Sequence, residues 1–124
     1  MQGAFGDMLS FEGKRIWLAC GQTDMRKSIN GLAAKADGDF KLDVYGAAVF
    51  VFCNKQRNRL KILEWDGNGF WLYFKRLEKG RFRWPTAEEP TMALSAEELM
   101  LLLRSPGMVQ KVLRNEVKAG AAFM

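Results

Sequence analysis

Residues 58–84 read NRLKILEWDGNGFWLYFKRLEKGRFRW, a run that alternates bulky rings with arginine and lysine. Rings stack on nucleobases and cations neutralise phosphates, so this composition suits contact with a polyanion, above all single-stranded or flexible nucleic acid. Residues 55–83 hold nine Lys/Arg and three acids, a local +6 in a chain whose net charge is +5, which leaves −1 for the rest. Positive charge gathered in one segment points to an anionic partner more strongly than a diffuse excess does. The same residues also suit an ordinary half-buried sheet, with the tryptophans packed and the cations forming a solvated rim.

Other chemistry finds less support. The chain has no histidine, which removes the commonest general base and the commonest metal ligand. Asp24, Glu64 and Asp66 could form a carboxylate cluster for metal-dependent phosphodiester cleavage. Nothing in their spacing demands it, because Asp66 suits a turn and Asp24 suits a helix cap. Neither Gly-rich phosphate loop is present. Cys20 and Cys53 lack a metal-ligand spacing and read as buried free thiols, with a disulfide as the alternative. No catalytic residue, cofactor or metal is expected.

The elements that must position the basic and aromatic residues follow from periodicity. The 124-residue length suits one domain over 14–118, with a loose Gly-rich arm at 1–13 and a frayed tail at 119–124. The opening residues lack the basic start of a signal peptide, and no apolar run reaches a membrane-spanning ~20 residues, so a soluble cytoplasmic protein is expected. RIWLAC (15–20) reads as a strand. Met25, Ile29, Leu32, Ala33 and Ala36 fall on one helical face, capped by Thr23 or Asp24. Arg26 and Lys27 then lie in the first turn, where they could add a phosphate contact or simply face solvent. AAVFVFC (47–53) is an unbroken apolar run suited to a central strand.

RLKILEW, GFWLYFKR and RFRW read as three further strands joined at DGNG and EKG. If each turn is a three-residue loop ending in a left-handed glycine, Gly69 and Gly80, residue 66 faces 70 and residue 77 faces 81. Even positions then pair with even. One face gathers Leu60, Ile62, Phe70, Leu72, Phe74, Phe82 and Trp84 as core. The other gathers Arg59, Lys61, Trp65, Trp71, Tyr73, Lys75, Arg81 and Arg83, aromatic at the centre and basic around it. Glu64 and Arg76 land on the core face and Leu63 and Leu77 outside it, and a bulge near Leu63 would repair the first pair. A two-residue turn would instead reverse the pairing and scatter the basic face. After Pro85 and Pro90, Ser95 and Glu98 form a capping box for a helix, and a second amphipathic helix runs from about 108. The expected fold is α+β: an antiparallel meander of four or five strands against one helix of the N-terminal half and C-terminal helices.

Three blocks stand in order along the chain: LACGQTDMRKSINGLAA (18–34), VFVFCNKQRNRLKILEWDGNGFWLYFKRLEKGRFRWP (49–85) and a helical tail opening with Leu94-Ser95. Over roughly residues 15–115 they resemble the small TnpB-type accessory protein of bacterial insertion sequences that carry three genes, TnpA, TnpB and TnpC. Ser28 and Asn30 depart from that pattern, and residues 35–46 are more acidic than is usual there. The resemblance implies a non-catalytic role in DNA transposition beside a separate, larger transposase. The expected partners are DNA at the element's ends, the transposase and other proteins of the same element. On this reading Arg59, Lys61, Lys75, Arg81 and Arg83 touch phosphate, Trp71 and Tyr73 stack on bases, and Arg26 and Lys27 add a second contact. A protein–protein adaptor, with the aromatic face as the hot spot, is the alternative.

Overall fold

The apolar run predicted as a central strand is one, and it organises the rest. The computed structural model describes residue 11 and residues 13–104. Five strands form one sheet: β1 (Arg15–Ala19), β2 (Ala48–Cys53), β3 (Arg59–Trp65), β4 (Phe70–Arg76) and β5 (Thr91–Leu94), in the order β4-β3-β2-β1-β5. All six residues of β2 are buried, because β2 lies inside the sheet and is covered on both faces. Val49, Val51 and Cys53 belong to one core, with Ile16, Leu18, Leu60 and Ile62. Phe50 and Phe52 belong to another, with Ala19, Leu32, Ala36, Val44 and Leu63.

A helix closes each core. α1 (Ile29–Ala34), continued by a π-helical turn at Lys35–Asp39, covers the Phe50 side. α2 (Ala96–Arg104) covers the Val51 side through Leu99, Leu102 and Leu103. The predicted capping box starts α2: Ser95 Oγ accepts from Glu98 N–H at 3.0 Å, and Glu98 Oε1 accepts from Ser95 N–H at 2.8 Å. The second C-terminal helix expected from about 108 lies outside the described residues. So does nearly all of the 1–13 arm, but Phe11 is buried against the α2-side core, edge-on to Tyr73 with ring centroids 6.0 Å apart.

The class is α+β and the sheet is mostly antiparallel, with one exception. β1 and β2 run parallel, Ile16 facing Val49, because the chain between them crosses over through α1. Both cysteines are free. Burial pushes the Cys53 thiol up to about 12, so it is not a thiolate near neutral pH.

Two expectations about the hairpins are corrected. Trp65 faces Phe70 and Glu64 faces Trp71, so the DGNG loop is four residues, 66–69, and even positions pair with odd. Asp66 sets this length: its Oδ1 accepts from Asn68 N–H at 3.2 Å and Gly69 N–H at 3.1 Å. The left-handed glycine is Gly67 (φ 109°), not Gly69, while Gly80 is left-handed as expected (φ 77°). No strand forms at RFRW. Phe82 and Trp84 are buried in the α2-side core, and Trp84 Nε1 donates to Ala19 O at 2.8 Å. The alternation there comes from docking an irregular segment, not from a ladder. The register of β3 with β4 runs unbroken from 59/76 to 65/70, so there is no bulge at Leu63.

Candidate nucleic-acid interface

The corrected register divides the predicted basic and aromatic face. Residues directly opposite in a ladder share a face. Lys61 faces Phe74 and Arg59 faces Arg76, on the α1 side of the sheet. Trp71, Tyr73 and Lys75 lie on the α2 side, with Glu64, Ile62 and Leu60. Arg81 and Arg83 are exposed on the irregular segment beyond β4. The predicted single surface is therefore not formed.

The structure brings a different set together. A cleft of about 1030 Å³ opens on the α1 side, and its lining includes Asp24, Arg26, Lys27, Lys35, Lys55, Arg59 and Lys61 above Leu72 and Phe74. Six cations there meet one acid. Four of them, Arg26, Lys27, Arg59 and Lys61, are predicted contacts. Lys35, Lys55 and Phe74 were missed: Phe74 was assigned to the core by the wrong register, yet it is 56% exposed on the cleft floor.

Two loops wall the cleft. The first is residues 21–28, hooked to the end of β2 by Thr23 N–H donating to Cys53 O at 2.7 Å. Lys61 Nζ donates to Met25 O at 2.9 Å and Lys27 O at 2.7 Å. With those carbonyls occupied, the predicted helix start at Asp24 is replaced by a turn, and α1 begins at Ile29. Even so, Met25, Ile29, Leu32, Ala33 and Ala36 all pack in the α1-side core, as their spacing predicted. Asp24 Oδ1 accepts from Arg26 N–H at 2.9 Å, and Asp24 Oδ2 accepts from Arg26 Nη2 at 2.7 Å. That guanidinium holds the Asp24 carboxyl down at about 2, so the pair is intact at neutral pH and is lost only as pH falls toward 2.

The second wall is the β2–β3 loop, built around Asn54. Its Oδ1 accepts from Asn58 N–H at 2.9 Å and Arg59 N–H at 3.0 Å. Its Nδ2 donates to Asn58 Oδ1 at 2.8 Å and Gln56 Oε1 at 3.2 Å. The side chain sits where two backbone donors at the loop's return need an acceptor. The loop also holds Arg57 left-handed, at φ 61°, and leaves Lys55 and Gln56 exposed. The signal for this wall in the sequence is an asparagine directly after the apolar run of β2, followed by Lys55 and Arg57.

The cations differ in freedom. Arg26 is held by Asp24, Lys35 lies 3.7 Å from Asp39, and Lys61 is committed to carbonyls. Among the described residues Lys27 and Lys55 pair with no acid, and the Arg59 guanidinium donates to Asn58 Oδ1 at 3.4 Å with no acid in salt-bridge range. These three can exchange water for an anion at least cost.

On the opposite face the aromatic residues hold polar groups of their own. Tyr73 O–H donates to Glu64 Oε1 at 2.9 Å, and burial followed by that bond pushes the phenol up. Glu64 also pairs with Lys14 Nζ, so it stays in the core without a bulge. Trp71 Nε1 donates to Asp66 Oδ2 at 2.6 Å, its ring stacked on Tyr73 at 6.3 Å and 15°. Lys75 Nζ donates to Leu103 O. Asp24, Glu64 and Asp66 are thus engaged separately, and among the described residues no three His, Cys, Asp or Glu side chains are grouped to hold a metal. Nor is any helix among them long and apolar enough to cross a membrane.

Comparison with known proteins gives one family. The model described as "IS66 Orf2 like protein" matches residues 14–123. Two proteins of Sinorhizobium fredii (strain NBRC 101917 / NGR234) are similar, each described only as uncharacterized. Protein y4hO is 39% identical over 94 residues, 76% of this chain and 82% of its own. Protein y4jC is 37% identical over 91 residues, 73% of this chain and 78% of its own. No solved structure matches.

Proposed function

Since the chain belongs to the IS66 Orf2-like family, accessory proteins of an insertion sequence's transposition machinery, we propose that it serves transposition by binding DNA along the α1-side cleft. The observation that carries this reading is the convergence there of six cations and one acid, drawn from two sequence blocks that are far apart in the chain. Lys27, Lys55 and Arg59 line opposite walls and supply phosphate contacts. Phe74 offers a ring on the floor for an unstacked base, and base-on-ring stacking is worth ~1–3 kcal/mol. No chemical step is assigned to the chain. It holds DNA while another protein of the element cuts and joins it.

The test is fluorescence anisotropy of labelled element-end duplex and single strand across a salt series. Three phosphate contacts give a log–log slope of about −2.7 on duplex and about −2.1 on single strand. Lys55→Ala lowers the slope by ~0.9, whereas Arg81→Ala, outside the cleft, leaves it unchanged. No binding at low salt, or equal effects of the two substitutions, rejects the cleft as the DNA site.

A further inference from the structure

The three large apolar side chains most exposed among the described residues are Tyr45 (62%), Phe74 (56%) and Trp71 (54%). Tyr45 is accounted for by its ring contacts with Trp65 and Phe70, at 5.0 and 5.6 Å. Phe74 and Trp71 are both on β4, one on each face, and β4 is an edge strand. The other edge, β5, is four residues long, a usual way to blunt an edge. β4 has seven residues, FWLYFKR. It has no proline and no bulge, and its only charges sit at one end. Edges are normally protected against pairing, so this one is built like a strand that has a partner.

The ladder phase shows which backbone groups are available. Asp66 N–H donates to Gly69 O and Leu77 N–H donates to Asn58 O. Hydrogen-bonded pairs alternate from those points, so Trp71, Tyr73 and Lys75 turn their backbone groups toward β3. Phe70, Leu72, Phe74 and Arg76 turn theirs outward, where no strand lies among the described residues.

We propose that β4 pairs antiparallel with β4 of a second copy, on a two-fold axis at Tyr73. The pairing sets 70 against 76, 71 against 75 and 72 against 74. Every residue with outward backbone groups then meets another such residue, as an antiparallel ladder requires. The sequence of β4 is self-complementary in this register. Its apolar half lies on its basic half, so Trp71 covers the stem of the partner's Lys75 and Phe70 meets the partner's Arg76. Parallel pairing would instead stack Lys75 on Lys75 and Arg76 on Arg76, like charges directly opposed. Leu72 and the partner's Phe74 lie side by side across the axis, which joins the two cleft floors on one face of a ten-stranded sheet. That last consequence rests on the DNA reading; the pairing itself does not.

Sedimentation of the full chain without DNA tests it. The mass expected at high concentration is twice the 14.1 kDa of one chain, falling to one on dilution. A monomer at every concentration overturns the proposal. Trp71→Lys, which sets a lysine against the partner's Lys75 twice per dimer, is expected to weaken dimerisation at least tenfold with the far-ultraviolet spectrum unchanged. Trp71→Glu, which faces that lysine with opposite charge, is expected to dimerise more tightly than Trp71→Lys, and equality of the two overturns the register. Tyr73→Cys adds a check, since cysteines facing each other at the axis cross-link under mild oxidation beyond the background of the unsubstituted chain. A stable dimer with no such cross-link also overturns it. DNA is absent throughout, so failure here leaves the cleft reading standing, and the reverse holds too.

Discussion

Replacing Lys14 with methionine is expected to destabilise the fold by about 3 kcal/mol, the lower end for removing one partner of a buried ion pair. Glu64 is 8% exposed, inside the sheet's α2 side, and its carboxylate has two partners, Lys14 Nζ and the Tyr73 hydroxyl. Without the ammonium, a buried negative charge is left with one neutral donor. Lys14→Met combined with Glu64→Leu should recover most of the loss, since a packed apolar pair can replace a buried ionic one at little or no cost. Urea unfolding of the parent, both single variants and the double variant measures this. A loss below about 0.5 kcal/mol for Lys14→Met would mean that the pair behaves as an ordinary surface pair.

Asn54→Ala is expected to weaken both the fold and the cleft without changing a charge. Asn54 is buried and makes four hydrogen bonds within its own loop. At ~0.5–1.5 kcal/mol each, their loss costs about 3 kcal/mol, because two backbone N–H groups lose their acceptor. The loop they shape is the cleft wall that presents Lys55. Once it is unmoored, the Lys55 contact is lost and the salt slope on duplex DNA should fall by ~0.9. Lys55→Ala separates the two effects: it removes the same contact while leaving the unfolding midpoint where it was. If Asn54→Ala unfolds at the parent's urea concentration, the asparagine does not build the loop as described.

Much of the scaffold was legible because single-strand and single-helix signals are local. The apolar run at β2, the 25/29/32/33/36 stripe and the Ser95 cap each state their structure within a few residues. The relation between β3 and β4 was not legible, because it turns on one residue of loop length. DGNG accommodates either three or four residues, and Asp66 decides by accepting from both Asn68 and Gly69. That one residue moved Arg59 and Lys61 to the opposite face from Trp71, Tyr73 and Lys75. RFRW misled for another reason: burial of Phe82 and Trp84 in an irregular segment produces the same alternation as a strand. The place where cations gather was not legible either, since the cleft joins residues 22–35 to residues 54–61, two blocks brought side by side by the parallel β1–β2 pair.

That parallel pair also bears on how the chain emerges from the ribosome. Among the described strands β1 is synthesised first, yet both of its neighbours in the sheet come later, β2 after the whole α1 crossover and β5 only at Thr91–Leu94. β3 and β4, by contrast, are made one after the other and can pair as soon as the short turn between them clears the exit tunnel. The apolar RIWLA segment therefore spends much of translation with unpaired backbone on both sides, and in that interval it is open to pairing with another nascent chain.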